Sequence, residues 1–91
     1  VKRSQGVPFR VSIYPIPIND NGELNVKVTT IDKSDMTIRI LDINGRIVTS
    51  RTTIPSVDFV LEKFNLSGLS GGLYQIEVQN GQGREIVKII R

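Results

Sequence analysis

The sequence predicts an all-β domain, a sandwich or barrel of about seven short strands. Three observations carry this. The chain breaks into short runs rich in Ile, Val and Thr, punctuated by Gly, Asn and Pro. Leu24, Val26 and Val28 alternate with Asn25, Lys27 and Thr29, the period-two pattern of a strand with one buried face. Helical spacing persists nowhere beyond one turn, and Gly or Pro interrupts most longer stretches.

Taken in order, residues 1–8 are mostly polar and without periodicity, and they read as the end of a linker. Regular structure is expected from Phe9, so that residues 9–91 form the domain. Strands are predicted near 9–14, 23–30, 36–42, 46–53, 57–65, 73–79 and 84–90. Tyr14-Pro15-Ile16-Pro17 ends the first strand, because two prolines withdraw backbone donors and halt pairing at an edge. In the third strand Met36, Ile38 and Ile40 alternate with Thr37, Arg39 and Leu41, a similar though less regular pattern.

Between the third and fourth strands lies Asp42-Ile43-Asn44-Gly45-Arg46. A two-residue Asn44-Gly45 turn would set most apolar residues opposite polar ones. A three-residue loop, Ile43-Asn44-Gly45, instead sets Asp42 opposite Arg46, Leu41 opposite Ile47 and Ile40 opposite Val48. Matched pairs contribute roughly 0.2–1 kcal/mol each, which favours the second register. It is a type I turn followed by a left-handed residue, with Asp at the first corner and Gly at the fourth position. For the last hairpin, around Asn80-Gly81-Gln82-Gly83, two registers stay open. One uses Asn80-Gly81 as the turn, and the other aligns Ile76 with Val87 and Tyr74 with Ile89.

Composition excludes several kinds of chemistry. The 91 residues include no Cys and no His, which removes thiolate and imidazole catalysis, an ordinary zinc site and any disulfide. Asp42-Ile43-Asn44-Gly45 and Asn19-Asp20-Asn21-Gly22-Glu23 each lack the alternating ligands and the distant Glu of a calcium loop. No metal or cofactor is therefore expected. Asp32 with Asp35, and Asp58 with Glu62, are acidic pairs without a nucleophile or a phosphate-cradling loop beside them, and read as turn and surface residues. Net charge is +3, but its longest basic run is Lys2-Arg3, so no nucleic-acid footprint is expected. No apolar run approaches the roughly 20 residues of a membrane span, and residues 1–8 lack the form of a signal peptide.

Four features occur in one order along the chain. They are Tyr14-Pro15-Ile16-Pro17, Asp42-Ile43-Asn44-Gly45-Arg46-Ile47-Val48, the stretch from Leu66 through Gly72 and Tyr74 to Val78, and Lys88-Ile89-Ile90-Arg91. In this the chain resembles the C-terminal sorting domain of the type IX (Por) secretion system of Bacteroidota. That family commonly shows Tyr-Pro-Asn-Pro, then Asp-x-x-Gly-Arg/Lys-x-Val, then Leu-x-x-Gly-x-Tyr-x-x-x-Val, then a short basic strand. The second motif falls on Asp42, Gly45, Arg46 and Val48, and the third on Leu69, Gly72, Tyr74 and Val78. Ile16 departs from the family's Asn.

The resemblance implies an immunoglobulin-like β-sandwich of mainly antiparallel strands. It also implies a non-enzymatic address on a larger, N-terminal cargo. Such a cargo passes the periplasm and is delivered to the outer-membrane surface or beyond. The partners implied are the outer-membrane translocon and a sortase-like peptidase that cuts in the preceding linker. Tyr14, Pro15, Pro17, Gly45 and Gly72 are expected to shape turns and strand ends, and Tyr74 to bury its ring with its hydroxyl at the rim. Recognition is expected on the basic terminal strand, at Arg84, Lys88 and Arg91. That strand also admits pairing between two copies. The alternative reading is an immunoglobulin-like accessory module, glycan-binding or a spacer, of an extracellular enzyme or adhesin.

Overall fold

The computed structural model describes residues 9–15, 21–30, 33–81 and 83–91. The expected linker, together with Ile16, Pro17, Asn19, Asp20 and Asp32, lies outside them. The described residues form seven strands: β1 (Phe9–Tyr14), β2 (Glu23–Thr30), β3 (Met36–Leu41), β4 (Ile47–Thr53), β5 (Phe59–Asn65), β6 (Leu73–Asn80) and β7 (Gly83–Ile90). All pair antiparallel, in a three-stranded sheet ordered β1-β2-β5 and a four-stranded sheet ordered β4-β3-β6-β7. β5 begins later than expected: Val57 and Asp58 are exposed and precede the ladder.

Alternation decides which residues enter the core. β2 buries Leu24, Val26 and Val28 at 1%, 0% and 0% exposure, so the period read from the sequence is the period of burial. Met36, Ile38 and Ile40 of β3, and Tyr74, Ile76 and Val78 of β6, face them from the second sheet. Phe9, Phe64, Leu66 and Ile89 complete the cluster. Burying an aliphatic side chain of this size contributes about 1.5–3 kcal/mol before entropy is charged against it. The core is therefore an aliphatic layer between two sheets.

The β3–β4 hairpin follows the expected register at its turn and leaves it one step later. Leu41 pairs with Ile47, but Ile40 pairs with Thr49 rather than Val48. Val48 is the extra residue of a bulge, and beyond it Arg51 and Thr53 stand opposite the buried Ile38 and Met36. Matching like with like across the pair fails here because Ile38 and Ile40 are covered from the opposite sheet. Their β4 partners are free to be polar.

One of those polar partners joins the two sheets. Arg51 points inward from β4 and reaches β5: its guanidinium lies 2.9 Å from Glu62, donates to the Lys63 carbonyl at 2.8 Å, and sits 4.2 Å from the Phe64 ring centroid. At the top of β2, Gly22 accepts a hydrogen bond from the Leu66 amide at 2.8 Å. The last hairpin takes the register that aligns Ile76 with Val87 and Tyr74 with Ile89, closing at Asn80 and Gly83. Asn80 Oδ1 accepts the Gly83 amide at 3.1 Å.

Candidate functional site

The motif residues gather at three places. At the β3–β4 turn, Gly45 N donates to Asp42 O at 3.0 Å and Asp42 N donates to Arg46 O at 2.9 Å, closing a type I turn with a following bulge residue. Gly45 holds φ +82°, where only glycine sits without steric cost. The Asp42 carboxylate is fully engaged. Oδ1 accepts the backbone amides of Asn44 and Arg46, both at 2.9 Å, and Oδ2 faces Arg46 Nε at 3.2 Å. The amide of Arg46 first, then that of Asn44 and the Arg46 guanidinium, hold its pKa below the ordinary carboxylate range. A carboxylate spent this way organises a turn.

At the end of β1, Tyr14 is the last paired residue. Its ring is exposed, its carbonyl accepts Asn25 Nδ2 at 3.3 Å, and the following peptide bond to Pro15 is cis. Pro17 is beyond what the structure describes.

The third place joins the β5–β6 loop to the end of β7. Tyr74 is buried to 6% exposure and donates its hydroxyl to the Ser70 carbonyl, four residues upstream, at 2.7 Å. This is the tyrosine-corner arrangement of immunoglobulin-like sandwiches. Gly72 and Arg91 exchange backbone bonds, with Arg91 N donating at 2.8 Å and Gly72 N at 3.3 Å. The Arg91 guanidinium donates to the carbonyls of Leu66 at 2.8 Å and Ser67 at 3.3 Å. Arg91 thus ties the end of β7 to the same loop that Tyr74 holds.

The three basic residues of the terminal strand have different surroundings. The Arg91 guanidinium is directed into its own domain. Arg84 lies 3.3 Å from Glu77, which also receives Arg39 at 3.4 Å. Glu77 stands directly opposite Arg39 in the ladder and is buried to 8% exposure, so it holds two cations on the outer face of the second sheet. Lys88 is exposed, pairs through its backbone with Gln75, and has no ion-pair partner among the described residues.

Sequence reasoning missed Glu77, Gly22 and Arg51. Glu77 becomes readable once β3, β6 and β7 are paired, because its outward position lies opposite one Arg and diagonal to another. The Asn21-Gly22 dipeptide signals a turn, though not what the glycine touches.

The comparison with family models matches residues 12–91 to the secretion system C-terminal sorting domain. The chain belongs to this family. The fold of the sorting domain is similar to the crystal structure of a DUF3244 family protein from Bacteroides vulgatus ATCC 8482, described as having an immunoglobulin-like β-sandwich fold. The TM-score is 0.59 at 17% identity, covering 93% of this chain and 95% of that one. At that identity the likeness concerns the fold alone. No curated protein matches the sorting domain.

Proposed function

We propose that this chain is a non-enzymatic address that directs an N-terminal cargo across the outer membrane through the type IX translocon. A sortase-like peptidase then cuts in the linker that precedes Phe9. The cargo passes the periplasm and ends at the outer-membrane surface or outside the cell. The family match over residues 12–91 is the observation that carries this reading.

Within that function the terminal strand is the element best suited to meet a receptor. β7 is an edge strand, paired on one side with β6 from Gly83 to Ile90 and open on the other. An open edge offers unpaired backbone groups to a partner, and side chains beside it supply selectivity. Lys88 is the contact we favour, because its ammonium is free to meet a partner. Arg84 and Arg91 are already engaged, so they act on recognition by holding β7 in place, and a receptor contact at either must displace Glu77 or the loop carbonyls.

The test fuses residues 1–91 to the C-terminus of a fluorescent reporter bearing a signal peptide, in a bacterium with an active type IX system. Delivery to the surface or medium in that strain, and not in a translocon-deficient one, is the expected result. Equal periplasmic retention in both would refute the sorting role. Lys88→Glu then probes the contact without removing core residues, whereas deleting residues 88–91 would also remove the buried Ile89. Loss of export with an unchanged melting temperature is expected, and unimpaired export of Lys88→Glu would remove Lys88 from the recognition surface.

A further inference from the structure

The outer face of the three-stranded sheet carries a pattern of its own, apart from the recognition strand proposed above. The registers place its outward side chains in three rows across β1, β2 and β5: Arg10, Thr29, Phe59; then Ser12, Lys27, Leu61; then Tyr14, Asn25, Lys63. The cations Arg10, Lys27 and Lys63 occupy one diagonal. Tyr14 and Phe59 occupy the ends of the other, exposed at 45% and 47%. These rows hold no carboxylate; along the paired strands the next one on this face is Glu23, one row beyond. None of the three cations has an ion-pair partner among the described residues. On the second sheet, by contrast, Arg39 and Arg84 are both drawn to Glu77.

Exposed rings beside cations that no described carboxylate pairs, on one sheet face, mark a binding surface for an anion. Strand spacing and rise put neighbouring cations on the diagonal roughly 8 Å apart, and the two rings about 16 Å apart. That separation argues against a single-stranded nucleic acid, whose successive bases stack on aromatic residues close together on adjacent strands. It suits a chain of sugar rings that meets an aromatic side chain at each end and carries acidic groups between. Lys27 Nζ lies over the Phe59 ring, 5.3 Å from its centroid, so ring and charge form one unit; a sugar stacking on that face displaces the flexible ammonium towards the acidic group it carries.

We propose that this face binds an anionic polysaccharide, with Arg10, Lys27 and Lys63 meeting its acidic groups and Tyr14 and Phe59 stacking on its sugar rings. The inference does not depend on the sorting function, since the face lies on the sheet that does not contain β7.

The experiment is affinity electrophoresis of the 91-residue chain in gels containing polygalacturonate or phosphomannan, with neutral dextran and a single-stranded oligonucleotide as comparators. Retardation by either anionic polysaccharide, weakened by salt, and none by dextran is expected. Arg10→Gln with Lys63→Gln should weaken binding about tenfold. Arg39→Gln with Arg46→Gln, which removes the same net charge from the second sheet and its β3–β4 turn, should weaken it less than about twofold. Phe59→Ser keeps every charge and should cost about threefold. Circular dichroism verifies that each variant is folded. The proposal is overturned by no retardation in either anionic gel, by equal losses from the two double variants, by no loss from Phe59→Ser, or by tighter binding to the oligonucleotide.

Discussion

Adding one methyl group at Gly22 should damage this domain far more than adding it at Gly45, although both glycines have nearly the same backbone conformation. Their φ angles are +78° and +82°. Holding Ala in the left-handed region costs about 1–2 kcal/mol, and about 0.4–1 kcal/mol of that is offset by a less flexible unfolded chain. A Cβ at Gly45 would meet nothing within 4 Å, so Gly45→Ala should lose only that difference, about 0.5–1 kcal/mol. A Cβ at Gly22 would lie 2.4 Å from Ser67 N, 2.7 Å from Ser67 Cα and 2.9 Å from Leu66 C. All three are backbone atoms, so no side chain can swing aside. The β5–β6 loop must move, at about 1–3 kcal/mol for overpacking and about 1 kcal/mol for the bond from Leu66 N to Gly22 O. The sum for Gly22→Ala is about 3 kcal/mol or more, which lowers Tm by about 15 °C, against about 5 °C for Gly45→Ala. Thermal melting by circular dichroism, with urea titration to check that the slope is unchanged, measures both. Equal Tm values for the two variants would refute the close approach as the cause.

Two further outcomes follow from the turn and the strand end. Arg91→Ala should destabilise the domain by about 1–2 kcal/mol, and Arg91→Lys by less, because a single ammonium cannot reproduce both guanidinium bonds to Leu66 and Ser67; urea midpoints read both. Asp42 has a lowered pKa in the fold. Its contribution is therefore fully present above its unfolded value of about 4 and is lost as pH falls through the lower folded value. Asp42→Asn should flatten that acid limb of a stability–pH curve while leaving the other carboxylates' share intact, and an unchanged limb would contradict the assignment.

The parts of this fold that could be read from sequence are those controlled by neighbours in the chain. Alternation in Leu24, Val26 and Val28 reports a buried face directly. The pairing of Asp42 with Gly45 reports a turn whose geometry few other residues allow. What could not be read depends on atoms distant in sequence. The bulge at Val48 sets Ile40 opposite Thr49, a polar partner that is tolerated because the opposite sheet, and not β4, covers Ile40. Gly22 is required by the backbone of Leu66 and Ser67, which no local pattern announces. The candidate site divides the same way. A basic terminal strand is visible at Arg84, Lys88 and Arg91, but that two of these are held within the domain emerges only when Glu77 and the β5–β6 loop come beside them.

Arg51 has a consequence for how copies of the molecule can meet. By taking the Lys63 carbonyl it occupies part of the margin of β5, while the bulge at Val48 interrupts β4 on the same flank. β7, on the other flank, runs unbroken from Gly83 to Ile90. β1, the outer strand of the other sheet, also runs unbroken, from Phe9 to Tyr14. Two copies joining through β7 would use up the longer of the two regular edges, eight residues against the six of β1. Growth beyond a pair would then rest on the shorter β1 margin, since β4 and β5 are both marked against regular pairing.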